Sequence, residues 1–173
     1  MLRYGCDRCA EVLCKLKLAR KELQSNSLLF EKKGQKMNLR ITNDGNEQDI
    51  LDVFEMLKAY NLSKLETSEV VPVGVYYEDE NGRKFAGLTG EIFGNWLCIK
   101  YLVVDESLRG QGIGSKLLTA VEEEARNRGC RFSFVDTFSF QAPDFYVKHG
   151  YKEVFALKEY PITGARYYYT KEL

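Results

Sequence analysis

No stretch of this 173-residue sequence approaches the roughly 20 consecutive apolar residues that cross a bilayer. The opening residues also lack the uninterrupted apolar core of a secretory signal, so no membrane partner is expected. Net charge is missing too: 25 Lys and Arg balance 25 Asp and Glu. Without an excess of positive charge there is no general electrostatic footprint of a nucleic-acid binder. Cysteine is sparse and odd in number, with Cys6, Cys9, Cys14, Cys98 and Cys130 at irregular spacings. No disulfide framework follows, and reduced thiols in a cytoplasmic protein are expected. Cys6-x-x-Cys9 has metal-ligand spacing, but no second Cys or His pair completes four ligands, so no metal is expected. Internal repeats and low-complexity segments are absent as well.

What remains is an ordinary globular composition, 45% hydrophobic and 29% charged. A chain this long buries roughly 70% of its unfolded surface. The charge is unevenly divided: residues 1–36 carry nine Lys and Arg against four Asp and Glu, and the excess of acids falls on the rest. That asymmetry predicts a basic N-terminal extension over 1–36, with a short amphipathic helix at 10–24, followed by a separate domain over 37–173. The weakly acidic domain favours a cationic substrate, an effect that salt screens.

Asn38–Thr42 reads as a strand. Ile50, Val53, Phe54 and Leu57 recur at i, i+3, i+4 and i+7, which predicts a helix with Asn46 as its N-cap. Residues 70–78 and 84–93 alternate as strands joined at Asn81-Gly82, a dipeptide suited to a type I′ turn. Gly94-Asn95 turns the chain into a third strand, 96–104. A helix to about Arg128 follows, with Leu117, Leu118, Val121 and Ala125 as its buried stripe and Gly129 at its C-terminus. Then come a strand at 131–137, a short helix capped by Ser139 with Pro143 in its first turn, and strands at 151–158 and 165–171. The order predicts an α/β layered domain with a mixed, mostly antiparallel sheet.

The most informative stretch is Leu102-Val103-Val104 followed by Arg109-Gly110-Gln111-Gly112-Ile113-Gly114 and a helix. Three glycines between a strand and a helix let backbone N–H groups converge, and the helix N-terminus adds partial positive charge. Such a loop suits a pyrophosphate. It is not a Walker A loop, because Ser115 stands where Gly must precede Lys116. It is not a Rossmann fingerprint either, because the third Gly is missing at 115 and three antiparallel strands precede the loop. ATP and NAD are therefore not expected.

The spacing Arg109-x-x-Gly112-x-Gly114, preceded by Leu-x-Val at 102–104, resembles the pyrophosphate loop of the GNAT superfamily of N-acetyltransferases. Phe145-Tyr146-Val147-Lys148-His149-Gly150-Tyr151 is similar to a second segment of that family, in the correct order, and the resemblance spans residues 37–173. It implies a GNAT-like layered fold with helices on both faces and parallel strands splayed at the cofactor site. It implies acetyl-CoA as co-substrate, held by Leu102, Val103 and Val104 on the strand and by the amides of Arg109, Gly110, Gln111, Gly112, Ile113, Gly114 and Ser115. It also implies direct attack by an amine in a ternary complex, with Tyr146 protonating the departing thiolate.

Because no acyl-enzyme is formed, Cys98 and Cys130 read as core thiols. Glu91, roughly opposite Cys98, is the candidate base, with Asp105 and Asp136 as rivals. Where many GNAT relatives have an Asn contacting the cofactor, this chain has Ser139. His149 suits a helix C-terminus rather than a base. Tyr60, Asn61, Tyr160, Tyr167, Tyr168 and Tyr169 are candidates for the acceptor pocket, although alternation sends Tyr168 to the face opposite its neighbours. The expected activity is transfer of acetyl to a primary amine, on a small molecule before a protein. A protein amino group and a non-catalytic acyl-CoA-binding module stand as alternatives. A homodimer is left open.

Overall fold

The computed structural model describes residues 39–173. The N-terminal extension, its helix at 10–24 and the Cys6-x-x-Cys9 pair lie outside the described residues. The chain divides into two compact units with the boundary between Lys64 and Leu65.

In the first unit, α1 spans Glu47–Leu62. Asn46 caps it as expected, its side chain accepting hydrogen bonds from the Gln48 and Asp49 amides at 2.9 and 3.2 Å. The expected strand over 38–42 is not formed by its described part. Residues 39–42 are irregular and Leu39 and Ile41 are exposed, because alternation makes a strand only where a neighbour completes the ladder.

The second unit is a six-stranded sheet: β1 (Val70–Glu78), β2 (Lys84–Phe93), β3 (Trp96–Val104), β4 (Phe132–Phe138), β5 (Lys152–Lys158) and β6 (Ala165–Glu172). Its order is β1-β2-β3-β4-β6-β5. All pairs are antiparallel except β3 and β4. The β1–β2 connection departs from the sequence reading. A type I′ turn needs positive φ at both central residues, yet only Gly82 has it, at 77°. Asp79 instead pairs with Arg83, and its carboxylate accepts from the Asn81 and Arg83 amides. This is a three-residue loop with Gly82 in the left-handed position. Gly94, at φ 55°, makes the expected tight turn into β3.

Helix α2 (Ile113–Asn127) follows the glycine loop, and α3 (Pro143–Lys148) follows β4. The α2 stripe Leu117, Leu118, Val121 and Ala125 is buried, as its spacing predicts, against Ala86, Leu88, Leu97 and Ile99 of the sheet. Each fully buried Leu or Val contributes about 1.5–3 kcal/mol. Gly129, at φ 85°, ends the helix. Cys130 N–H bonds the Ala125 carbonyl and Gly129 N–H that of Arg126, the paired bonds of a Schellman motif.

Two irregularities in β3 shape the unit. Its parallel pairing with β4 covers only Trp96, Leu97 and Cys98, opposite Phe132, Ser133 and Phe134. Beyond Cys98 the two strands part while β3 stays bonded to β2. In that β2–β3 ladder Thr89 pairs with Tyr101 and Gly90 with Ile99, so Lys100 is the extra residue of a bulge. The bulge reverses the alternation: Leu97 and Ile99 face the core before it, Leu102 and Val104 after it, and Tyr101 and Val103 are exposed. Only glycine fits at position 90, where a Cβ would stand 2.6 Å from the Cys98 carbonyl oxygen. Gly90→Ala is expected to lower stability by about 1–3 kcal/mol, the range for overpacking, measured by urea unfolding.

Candidate active site

The parting of β3 from β4 opens a slot along residues 99–104, and the glycine loop stands at its end. Asp105 caps a 3₁₀ turn (Glu106–Leu108) through its carboxylate, which accepts from the Ser107 amide at 3.0 Å and the Ser107 hydroxyl at 2.5 Å. These hydrogen bonds hold its carboxyl below the usual range. The chain then folds back so that Arg109 Nε donates to the Val104 carbonyl at 3.2 Å. Gly110 and Gly112 have φ of 76° and 75°, the left-handed region that glycine enters without a Cβ penalty. Gly112 is the N-cap of α2 and brings no side-chain acceptor to the first-turn N–H groups, which leaves those donors facing outward for an anion. At Gly114 a Cβ would come into ordinary contact with the Phe145 ring at 3.4 Å and Val104 at 3.8 Å, with no room for a larger side chain on that side.

Helix α3 carries Tyr146 and is itself held by a second Schellman motif. Gly150 is at φ 86°, its N–H bonds the Val147 carbonyl, and Tyr151 N–H bonds that of Tyr146. Such motifs bring the residue after the glycine against the last helical turn. Here Tyr151 meets Tyr146 edge-on, with ring centroids 5.6 Å apart. The Phe145–Tyr151 segment therefore has a mechanical reason for its glycine. Tyr146 is buried, against Phe145, Tyr151 and Tyr169. Burial, reinforced by the charge of Asp136, raises its pKa to about 12. Ser139 does not cap α3. Ala142 holds that position, while Ser139 Oγ accepts from the Ala165 amide at 3.1 Å and Ser139 N–H donates to the Ala165 carbonyl. The helix begins four residues later than Ser139, so this hydroxyl closes the β4–β6 ladder instead.

The carboxylates separate by partner. Glu91 stands opposite Cys98, the last residue of β3 paired to β4, and meets Lys100 Nζ at 2.8 Å with both side chains largely buried. Strand alternation puts Glu91 on the face away from Leu88 and Ile92. Asp136 accepts from Arg166 Nε at 2.6 Å, and the Arg166 guanidinium lies over the rings of Phe138, Tyr160 and Tyr168. Tyr168 packs on Phe134 and Phe155, whereas Tyr167 and Tyr169 pair on the other face, as alternation requires. Burial pushes the Cys130 thiol up, away from nucleophilic reactivity. Among the described residues, no three His, Cys, Asp or Glu are grouped to hold a metal ion. No helix among them is long and apolar enough to cross a membrane.

Sequence comparison agrees with this geometry. The family described as "Acetyltransferase (GNAT) domain" matches residues 71–153, the stretch from β1 through the glycine loop to the start of β5. An acetyltransferase of Agrobacterium fabrum is 36% identical over 101 residues, covering 58% of this chain and 74% of that protein. Blasticidin-S acetyltransferase of Streptomyces morookaense is 36% identical over 116 residues, covering 65% of this chain and 85% of that one. The chain belongs to the GNAT family of acetyltransferases. The crystal structure of an acetyltransferase from Bacillus cereus has the same fold, with a TM-score of 0.70 at 34% identity, covering 78% of this chain and 98% of that one.

Within this GNAT fold, the sequence-predicted residues fall into two groups. Val104, Gly114, Phe145 and Arg109 meet at the loop end of the slot, and Tyr146 lies on the same sheet face as α2. Glu91 lies on the other face. Lys100 and Arg166, which hold the two carboxylates of that face, escaped the sequence reading. Each pairs with a partner set by strand register, and Arg166 is 30 residues from Asp136.

Proposed function

We propose that this N-acetyltransferase transfers acetyl from acetyl-CoA to a primary amine of a small molecule, by direct attack in a ternary complex. The observation that carries this reading is the slot itself: a strand edge freed after Cys98 that leads to a helix N-terminus without a side-chain cap. In this reading the pantetheine arm lies along Leu102–Val104 and the diphosphate on the amides of 109–115. A strand N–H faces the thioester carbonyl, where it stabilises the oxyanion. The amine nitrogen attacks the carbonyl carbon, the tetrahedral intermediate collapses with cleavage of the C–S bond, and Tyr146 gives its proton to the leaving thiolate. The neutral amine is the nucleophile, and the proton its nitrogen sheds on bonding to the carbonyl carbon passes to Glu91, through water. Tyr146 and Glu91 stand on opposite sheet faces, so acid and base flank the slot rather than compete. Asp105 is engaged by Ser107 and Asp136 by Arg166, as Glu91 is by Lys100; Glu91 is preferred as base because it stands opposite Cys98, where β3 parts from β4.

The acceptor side is the Glu91 face, where Lys100, Asp136, Arg166, Tyr160 and Tyr168 combine charges of both signs with aromatic walls. A panel of small amines assayed for thiol release from acetyl-CoA tests the reading, with at least one amine giving turnover. In a thermal-shift screen at equal concentrations, CoA should stabilise the protein more than NAD or ATP does. A larger shift with either nucleotide would reverse the cofactor assignment. Deleting residues 1–36 should leave CoA affinity within about twofold, since the proposed domain begins at 37.

A general acid must be protonated to act. Tyr146, with a pKa of about 12, keeps its proton below that value and loses it above. The rate of the chemical step should therefore show no alkaline loss due to Tyr146 up to about pH 10. A loss between about pH 8 and 10 that Tyr146→Phe abolishes would contradict this.

A further inference from the structure

The ring of His149, the sole histidine of the sequence, stands between the two helices beside the slot. Its Nδ1 is 2.7 Å from the Phe145 carbonyl oxygen and its Nε2 is 2.9 Å from Ser115 Oγ. A carbonyl oxygen only accepts, so Nδ1 carries a hydrogen. That settles the other contact. In the neutral ring Nε2 offers a lone pair, and the Ser115 hydroxyl donates to it. In the doubly protonated ring Nε2–H donates to Oγ, and the Ser115 hydrogen is free to turn away. Ser115 is the third residue of α2, at the end where the helix presents its N–H groups to an anion.

We propose that His149 is a positioning residue for the cofactor diphosphate. Arrival of the anion is coupled to uptake of one proton from solvent at Nε2, which turns the Ser115 hydroxyl from His149 to a phosphate oxygen. No heavy-atom bond forms or breaks. The proposal rests on the 109–115 loop being the diphosphate site. Both ring nitrogens are taken by Phe145 and Ser115, so no carboxylate bonds the ring and the phosphate is the anion its charge answers. The charged side chains on the helices holding the ring are Lys116, Glu122, Glu123, Glu124 and Arg126 of α2, the last four in its C-terminal half, with Asp144 and Lys148 of α3. Lys171 of β6, beside Gly150, is paired with Glu122 at 2.7 Å. The imidazole also packs on Phe145, ring centroids 4.3 Å apart, and the Phe145 ring lies 3.4 Å from where a Cβ on Gly114 would stand. Diphosphate, Ser115, His149 and the helix carrying Tyr146 thus form one connected layer.

A single histidine makes ring ¹⁵N signals unambiguous, so the test needs only the full chain and CoA. At about pH 8 the free protein should show the Nδ1–H tautomer that the Phe145 carbonyl selects. Added CoA should protonate both nitrogens, and pantetheine, which lacks the diphosphate, should not. Calorimetric titration with CoA in buffers of different ionisation enthalpy should show proton uptake that His149→Phe loses. His149→Phe and Ser115→Ala should each weaken CoA binding about fivefold, the effect of one hydrogen bond. An Nε2–H tautomer in the free protein overturns the proposal. So does CoA binding with a neutral ring, or undiminished proton uptake in His149→Phe, and these outcomes leave the loop assignment standing. If CoA fails to bind the wild type at all, the loop assignment itself is lost.

Discussion

Tyr146→Phe is expected to lower kcat by roughly 10²-fold, the usual range for removing a general acid, while leaving the Kd for acetyl-CoA nearly unchanged. The substitution deletes one oxygen and keeps the ring that packs against Phe145, Tyr151 and Tyr169. Fold and cofactor binding should therefore survive, with stability altered by about 1 kcal/mol at most. If Tyr146 is only a packing residue, kcat stays near normal. With an acceptor for which chemistry limits the rate, a kcat within about threefold of wild type would assign the proton to another donor. The acetyltransferase activity would stand, since family membership does not depend on this hydroxyl.

The second large effect is at the loop glycines. Gly112→Val and Gly114→Val should each weaken acetyl-CoA binding at least tenfold, about 1.4 kcal/mol, for different reasons. At Gly112 nothing lies within 4 Å of a built Cβ. The cost is conformational: φ is 75°, and a β-branched residue relaxes toward negative φ, turning the first N–H groups of α2 away from the ligand. At Gly114 the backbone is ordinary and the cost is steric, because the side chain must displace Phe145 and, with it, α3. Gly112→Ala should consequently retain part of the defect, while Gly114→Ala, whose Cβ sits at ordinary contact distance of 3.4 Å, should be milder. Calorimetric titration of folded variants checks both. Unchanged affinity in both valine variants would remove the diphosphate from this loop.

Much of the fold was legible because the signals are local. Asn46 caps α1, the strands at 70–78, 84–93 and 96–104 begin and end where their turns place them, and the α2 stripe is buried as its 3.6-residue period demands. Where a local rule had two outcomes the reading slipped. Asn81-Gly82 permits a type I′ turn, but the Asp79 carboxylate captures two amides and selects a longer loop. Ser139 has the chemistry of a helix cap, yet the Ala165 backbone, 26 residues away, takes both its amide and its hydroxyl.

The sequence by itself determined the family and the loop that goes with it. Arg109-x-x-Gly112-x-Gly114 after Leu102-Val103-Val104, and Tyr146 four residues before Gly150, are contiguous patterns whose meaning lies in backbone geometry over a few residues. Tertiary structure alone decided three things. It set where the slot begins, because β3 pairs with β4 only as far as Cys98. It set which β3 side chains face the core, because the bulge at Lys100 shifts the alternation by one residue. And it set the partners Glu91–Lys100, Asp136–Arg166 and Ser115–His149. The physical reason is common to all three. Strand register and helix docking are summed over many distant contacts, and a single bulged residue changes every neighbour that follows it.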